Sequence, residues 1–313
     1  KNYFWKIRDD SGKIRIQRES DKWMWIIFAF FTAIFEAVKD GLCKKSLQNA
    51  DSFVVAWSWK ALTVPFLLPL LFFYPLPGEL TLRFWLALCV GGSLNVLATL
   101  LYIEAIKSSD LSITLPLLSF TPVFLLVTSP LLVSEYVSTI GGLGVVAIFA
   151  GAYILNVSEI RSGYLKPIHA LLRERGPRLM LAVAAVWSVA ANMDKIGVQE
   201  TNPFFWCIAI QCFITFFLTL FIFWQRPKAF TNISGKYGYS ILAAIGLSSA
   251  LGLICQMTAI NTGLVPYVIS IKRTSILFGV IFGGVFFREQ GITPRLLGAL
   301  IMIAGIFLIT LNL

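Results

Sequence analysis

The sequence predicts an all-α membrane protein with ten transmembrane helices in two inverted five-helix repeats. Of its 313 residues, 57% are hydrophobic and only 13% are charged, and the mean hydropathy is +0.79. Soluble domains usually carry about 25% charged residues. The apolar residues gather in blocks of about 20, the length at which an α-helix crosses ~30 Å of hydrocarbon. Because stretches such as 296–313 are continuously apolar instead of alternating, the pattern excludes a soluble globular protein and a β-barrel.

Ten apolar blocks bounded by charges, Gly or Pro mark the predicted helices. They lie at 23–43, 53–74, 83–106, 111–133, 138–157, 178–197, 203–224, 238–260, 265–287 and 292–313. Most connections are short, so consecutive helices should be antiparallel neighbours. The exceptions are a basic N-terminal tail, 1–22, and the segment 158–177. The latter contains the amphipathic stretch His169–Arg175, which we interpret as a linker at the headgroup level.

A fixed offset of 154 positions repeatedly places the same residue type in both halves of the chain. The matches include Asp40 with Asp194, Gly92 with Gly246, Glu135 with Glu289, Gly144 with Gly298 and Gly151 with Gly305. Acidic residues are rare in this chain, so their matches carry more weight than apolar ones. Each half holds five helices, an odd number. The second repeat, 178–313, should therefore enter the membrane from the side opposite to the first, 23–157.

The formal charge of +10 arises from 26 Lys and Arg against 16 Asp and Glu. In a membrane protein, an excess of Lys and Arg in the loops helps to set the orientation of the helices in the membrane. No nucleic-acid partner is therefore expected. The tail carries seven of these cations, but the linker and the loops on its side carry more, which leaves the sidedness of the termini open. With one His and five Cys that lack metal-ligand spacing, we expect neither a metal site nor disulfides.

Two similar passages lie near the ends of the halves. In the first, Thr121–Phe124 is followed by Ser134, Glu135 and Gly144; in the second, Phe286–Glu289 is followed by Gly298, Ala304 and Gly305. With these passages and its five-plus-five layout, the chain resembles the EamA-type transporters of the drug/metabolite transporter superfamily. The resemblance covers roughly 23–313. It implies the five-plus-five fold, a multi-pass protein of the inner (plasma) membrane, and export of amino acids, drugs or other metabolites. More distant relatives exchange nucleotide sugars or sugar phosphates in organelles.

Lys272 and Arg273 are the strongest candidates for substrate binding. An ionised side chain at the bilayer centre costs about 2.5–3.5 kcal/mol, so those that persist usually face a cavity or one another. These two lie mid-helix in the block 265–287, too deep for easy snorkelling. They either contact an anionic substrate or pair with Glu36, Asp40 or Glu104. The pair resembles the Lys-Arg pair of plastid phosphate translocators, which implies an organophosphate substrate. The chain departs from those translocators in its sole His, His169, which lies in the segment 158–177 and not in a predicted transmembrane helix.

Helix 1 carries Glu36, Lys39 and Asp40 at spacings that place them on one face, which should point inward. One of these carboxylates is a candidate for taking up a coupling proton. Asp40 has a repeat counterpart in Asp194, and Lys195 follows it, so we group all five as coupling or gating residues. The alternative is that they form intrahelical ion pairs near helix ends.

Other polar residues of the apolar blocks receive weaker interpretations. Asn95, Thr121 and Gln256 either line a cavity or hydrogen-bond between helices. Glu135 and Glu289 lie just before a helix and are predicted to cap N–H groups there. Prolines within the blocks should permit bending: Pro116, Pro122, Pro130 and Pro266. Three tryptophans are interpreted as belt anchors or cavity walls: Trp57, Trp59 and Trp206.

These features predict a secondary-active transporter that moves a small polar or anionic organic metabolite by alternating access. No phosphate-binding loop of the Gly-x-x-x-x-Gly-Lys-[Ser/Thr] type is present, so neither ATP nor another cofactor is expected. The alternatives are a sugar-phosphate or nucleotide-sugar exchanger and a flippase for a lipid-linked substrate. An enzyme is not expected, because the blocks lack a nucleophile–base pair. The expected partners are the substrate and membrane lipids, with the oligomeric state open.

Overall fold

The structure is a computed structural model that describes residues 4–8, 14–46, 52–74, 76–109, 111–157, 166–225, 238–279 and 292–311. Two short strands, β1 (Phe4–Arg8) and β2 (Ile14–Arg18), pair antiparallel within the predicted tail. The first helix begins directly after them, at Glu19, a few residues earlier than predicted. All later elements of the described residues are helical.

The described residues of the first half form seven α-helices. They are α1 (Glu19–Ser46), α2 (Ser52–Ala61), α3 (Thr63–Leu67), α4 (Leu82–Ser108), α5 (Leu111–Thr114), α6 (Thr121–Val133) and α7 (Thr139–Val157). Short 3₁₀ turns follow α3 and α5, at Leu68–Phe72 and Leu115–Phe120.

The second half follows the same order after a short helix in the predicted linker, except that one continuous helix, α10, takes the place of α2 and α3. The helices are α8 (Lys166–Arg173), α9 (Arg175–Glu200), α10 (Pro203–Gln225), α11 (Gly238–Thr262), α12 (Val265–Lys272), α13 (275–279) and α14 (Ile292–Thr310).

Six helical segments of the described residues are long and apolar enough to cross a membrane. They are Ser52–Phe72, Leu82–Ser108, Leu115–Val133, Arg175–Glu200, Pro203–Gln225 and Ser240–Thr262. Thr139–Leu155 and Leu296–Thr310 are apolar but shorter. Large apolar side chains such as Phe72 and Leu131 are 90% and 77% exposed, as expected for surfaces that face lipid. The count of ten spans stays a prediction.

Two blocks predicted as continuous helices are interrupted at prolines. The 3₁₀ turn Leu68–Phe72 contains Pro69, and the turn Leu115–Phe120 contains Pro116. Pro122 then lies in the first turn of α6. A proline has no N–H to donate, so the regular bonding of an α-helix cannot pass through these positions unchanged.

A third interruption affects Lys272 and Arg273 directly. The helix α12 ends at Lys272, the chain turns through residues 273–274, and helix resumes at 275. The backbone bonds there shorten to i→i+3, with the Thr274 N–H donating to the Ile271 carbonyl at 2.9 Å. The hydroxyls of Ser270 and Thr274 also donate to the carbonyls of Pro266 and Ile271, at 2.6 and 2.7 Å. The prediction of a mid-helix pair is therefore wrong: the two cations lie at a helix break.

This break occupies the repeat position of the first half's 3₁₀ turn. Residues 269–274 follow Leu115–Phe120 by the same offset of 154 positions. Both halves thus leave regular α-helical geometry at equivalent places, where the backbone forms tighter i→i+3 hydrogen bonds. A short 3₁₀ segment inside a helix often marks a hinge or a functional position.

The main helix contacts also recur between the halves. Along the chain, α9 is the repeat counterpart of α1, and α11 is the counterpart of α4. The helix α1 packs along α11, and α4 packs along α9. The contact of α4 with α9 is therefore the repeat equivalent of the contact of α11 with α1.

The counterparts α7 and α14 pack against each other through glycines. A Cβ on Gly144 would lie 2.7 Å from the Gly305 carbonyl oxygen, and one on Gly151 would lie 2.5 Å from that of Gly298. The order reverses along the two helices, so they run antiparallel. The absence of side chains at these four positions allows the backbones to approach closely.

This packing predicts opposite effects for two substitutions in α7. Gly151→Ala places a methyl group against the backbone of α14 and should lower the melting temperature, with an overpacking cost of about 1–3 kcal/mol. Gly142→Ala is the control, because its Cβ would meet only the Val137 side chain at 3.9 Å. That variant should melt at the parent temperature or above, since Ala favours helix. Equal effects of the two substitutions would contradict the described packing.

Candidate functional site

A cavity of about 120 Å³ lies among helices of both halves. Its walls come from α1, α2, α4, the start of α6, and α9 to α12. The charged residues that line it are Glu36, Lys60, Asp194, Lys272 and Arg273. Ionised side chains inside a membrane protein are costly unless they are paired or hydrated. The convergence of these five side chains therefore marks the cavity as the candidate site.

The cavity includes residues from equivalent positions of the two repeats. Asn95 and Ser249 both line it, as do Lys60 and Ile214, and each pair is separated by 154 positions. The site is therefore built at the interface of the repeats, where transporters of this architecture bind substrate.

Lys272 reaches two side chains of other helices. Its Nζ donates to Gln256 Oε1 at 2.8 Å and lies 3.6 Å from Glu36 Oε1. Of the carboxylates that the sequence offered as partners, Glu36 is the one within ion-pair distance. Glu104 instead lies 3.4 Å from Arg175, and the two side chains are 45% and 73% exposed.

Arg273 has fewer partners than Lys272. Its Nη2 donates to Thr121 Oγ1 at 2.8 Å, and its Nε is buried without a hydrogen-bond partner. Within the described residues, no carboxylate oxygen lies within 4.0 Å of this guanidinium. A guanidinium presents five N–H donors in a planar fork, so Arg273 retains donors for a ligand in the cavity.

The helix-1 cluster is centred on a buried lysine. Lys39 Nζ lies 2.8 Å from Glu36 Oε1 and 3.2 Å from Asp40 Oδ1, and it stands 3.9 Å above the Trp59 ring. Lys39 is only 2% exposed, but the Asp40 side chain is 61% exposed. Glu36 thus bridges Lys39 and Lys272, whereas Lys39 and Asp40 lie outside the cavity lining.

Asp194 is buried, and an indole donates to its carboxylate. Trp206 Nε1 lies 3.0 Å from Asp194 Oδ1, and no cationic nitrogen of the described residues lies within 4.0 Å of the carboxylate. Trp206 is fully buried, so it supports the site rather than anchoring the protein at the membrane surface. Trp59 is a cavity wall, and Trp57 donates to Thr219 in α10.

Lys60 is a cavity residue that the sequence patterns above did not single out. It is 8% exposed, lines the cavity, and holds its ammonium 4.4 Å from the Trp59 ring. Gln211 Nε2 donates to the Lys60 carbonyl at 2.7 Å, which ties α10 to α2. The sequence did contain an indication of this position, because Lys60 is a charged residue within the apolar block 53–74.

Lys195 and Glu135 form a buried cluster that is separate from the cavity lining. The two side chains are ion-paired at 2.9 Å. Lys195 also donates to the carbonyls of Ile260 and Gly263 at 2.7 and 3.0 Å, and Glu135 accepts from the Val265 N–H at 2.7 Å. The capping role predicted for Glu135 therefore holds for α12, a helix 130 residues away, and not for the helix that follows it. Glu289 lies outside the described residues.

Comparison with known proteins identifies the family. The family model of EamA-like transporters matches residues 23–157 and 175–311. The chain belongs to the EamA-like transporter family. It is also 24% identical over 289 residues to an uncharacterized transporter of Archaeoglobus fulgidus, a match that covers 91% of this chain and 95% of that one.

A solved crystal structure shares the fold of this EamA-like chain. It superposes with a TM-score of 0.74 at 14% identity and covers 95% of this chain and 98% of its own. Together with the apolar helices, the family match establishes an integral, multi-pass membrane protein of the transporter class. The resemblance to the drug/metabolite transporter superfamily is confirmed.

Proposed function

We propose that this EamA-like protein is a secondary-active transporter of a small anionic organic metabolite in the inner (plasma) membrane. The observation that carries the proposal is the environment of Arg273. Its guanidinium enters the cavity from a helix break, has one hydrogen bond to Thr121, and has no carboxylate within 4.0 Å among the described residues. A carboxylate or phosphate of the substrate would supply the missing anion.

The charges that line the cavity support an anion. Lys60, Lys272 and Arg273 carry three positive charges, and Glu36 and Asp194 carry two negative ones. One positive charge is left in excess when all five are ionised. A monoanionic substrate group would neutralise it in a low-dielectric site, where an unpaired charge is costly.

Alternating access between inverted repeats is the mechanism we propose. Two observations support an axis in the membrane plane: the antiparallel packing of the counterparts α7 and α14, and the equivalent contacts of α1 with α11 and α4 with α9. The interruptions at Leu115–Phe120 and at residues 273–274 are the places where bending would cost least.

A sugar-phosphate or nucleotide-sugar exchanger is the second candidate. It is favoured by the Lys272–Arg273 pair, because guanidinium and ammonium together suit a phosphate group. A flippase for a lipid-linked substrate would bind such a headgroup in the same cavity. The two are separated by measuring solute flux and lipid flipping in the same proteoliposomes.

A thermal-shift screen of the purified protein tests the charge of the substrate. A ligand at 100 times its Kd stabilises the folded state by about 2.7 kcal/mol, so carboxylates, sugar phosphates and nucleotide sugars can be compared directly. We expect the largest rise in melting temperature among the anions. A protein stabilised only by neutral or cationic compounds, or by none of the anions, would contradict the proposal.

The helix-1 carboxylates predict a pH effect on transport. If Glu36 or Asp40 takes up the coupling proton, Glu36→Gln or Asp40→Asn should remove the pH dependence of uptake but retain exchange of substrate across the membrane. The check is uptake and exchange by the parent and both variants across a pH series. Parent-like pH profiles in both variants would show that these carboxylates are structural.

A further inference from the structure

The buried cluster around Glu135 joins the two halves of the protein at one end of the cavity. Lys195 directly follows the cavity residue Asp194, and Val265 precedes the cavity residue Ile269 by four positions, about 6 Å along a helix. Glu135 and Lys195 are 8% and 6% exposed. The buried cluster therefore lies within about one helical turn of residues that line the cavity.

The two halves of the protein contribute unequally to the cluster. Lys195, Ile260, Gly263 and Val265 all belong to the second half, and Glu135 is the one member from the first. Its two carboxylate oxygens hold two different partners: Oε1 faces the Lys195 ammonium, and Oε2 accepts from the backbone of α12. A relative motion of the halves at this end must break both contacts.

Lys195 can tolerate such a separation better than Glu135. Its ammonium also donates to two carbonyls of its own half, at 2.7 and 3.0 Å, and these bonds survive when Glu135 departs. Glu135 would meet water entering from the opened side, which hydrates the freed carboxylate. The apolar contacts beside the cluster, such as Trp25 stacked on Tyr267 at 6.2 Å, seal the same end while it is closed.

We propose that Glu135 is the latch of the gate at this end of the cavity. It holds the second half closed through Lys195 and the N-terminus of α12, the helix that carries Lys272 at its other end. Opening of this side requires release of Glu135, and closing restores both bonds. The proposal rests on alternating access, the mechanism of the proposed function, but not on the identity or charge of the substrate.

Double electron–electron resonance across the gate tests the latch. Spin labels at Tyr136→Cys in the first half and Asn261→Cys in the second report their separation, in a background whose five free cysteines are replaced. Both positions are exposed. The protein without further changes should show one short distance. Glu135→Ala should add a longer one and raise the ratio of open to closed protein at least tenfold, which corresponds to about 1.4 kcal/mol.

Matched variants separate a latch from a general loss of stability. Glu135→Gln keeps an acceptor for the Val265 N–H but loses the ion pair, so it should give a smaller open fraction than Glu135→Ala. Glu104→Gln removes a carboxylate from an exposed pair and should change nothing. Labels at Gln199→Cys and Asn261→Cys, two exposed positions of the second half, should keep one distance in every variant.

An unchanged distance distribution across the gate in Glu135→Ala would overturn the latch. So would a change that appears equally in the pair within the second half, because it would indicate local unfolding. Neither result bears on anion binding, which the thermal-shift screen measures separately. If no anion stabilises the protein in the thermal-shift screen but Glu135→Ala still shows the longer distance, the proposal of an anionic substrate is wrong and the latch is retained.

Discussion

Arg273→Gln is expected to weaken binding of the anionic substrate at least tenfold while the protein stays folded. A hydrogen bond to a charged group contributes about 1.5–3 kcal/mol, and each 1.4 kcal/mol is a factor of ten in affinity. Within the described residues, no ion pair of Arg273 is lost in this variant, because no carboxylate lies within 4.0 Å of the guanidinium. The measurement is the Kd of the anion that stabilises the parent most.

Two further variants make this prediction specific. Arg273→Lys keeps the charge but loses the planar fork, so it should bind with intermediate affinity. Lys272→Gln removes a cation that already contacts Gln256 and Glu36, and it should therefore affect both affinity and melting temperature. Parent-like affinity in both Gln variants would show that neither residue binds the substrate.

Lys195→Met is expected to give the largest loss of stability. The substitution leaves the Glu135 carboxylate buried without its cation and frees the carbonyls of Ile260 and Gly263. Removing one partner of a buried ion pair costs about 3–5 kcal/mol. Unfolding titrations of the parent and the variant in mixed micelles measure this difference.

The double variant Lys195→Met/Glu135→Gln is the control. It removes the buried charge but retains an acceptor for the Val265 N–H, so it should recover part of the stability lost in Lys195→Met. If the double variant loses as much free energy of unfolding as Lys195→Met and Glu135→Gln lose together when made singly, the two residues act independently. That result would contradict the described ion pair.

The charged lining of the cavity was largely accessible from the sequence. Glu36, Asp194, Lys272 and Arg273 interrupt apolar blocks, and the cost of burying a charge in the membrane is the physical reason that such residues converge on a cavity. Lys60 obeys the same rule and was overlooked. Asn95, Thr121 and Gln256 also line the cavity, but their polarity alone did not separate that position from interhelical hydrogen bonding.

The helix breaks and the gate cluster were not accessible in the same way. The prolines marked places where bending was possible, but no proline or glycine marks the end of α12 at Lys272, where the backbone turns through i→i+3 hydrogen bonds. The partners of Lys195 and Glu135 lie 60 or more residues apart in the chain. Contacts of this kind are set by tertiary packing, which local periodicity does not report.

Net flux of the stabilising anion in proteoliposomes tests most directly whether this cavity transports an anionic metabolite. At an anion concentration well below the parent Kd, vesicles with the parent protein should take up the labelled anion well above protein-free vesicles, and vesicles with folded Arg273→Gln should take up at least tenfold less than the parent. Movement of a fluorescent lipid, measured in the same vesicles, should stay at the protein-free level. Equal uptake by the parent and Arg273→Gln, or lipid flipping without solute uptake, would contradict the account.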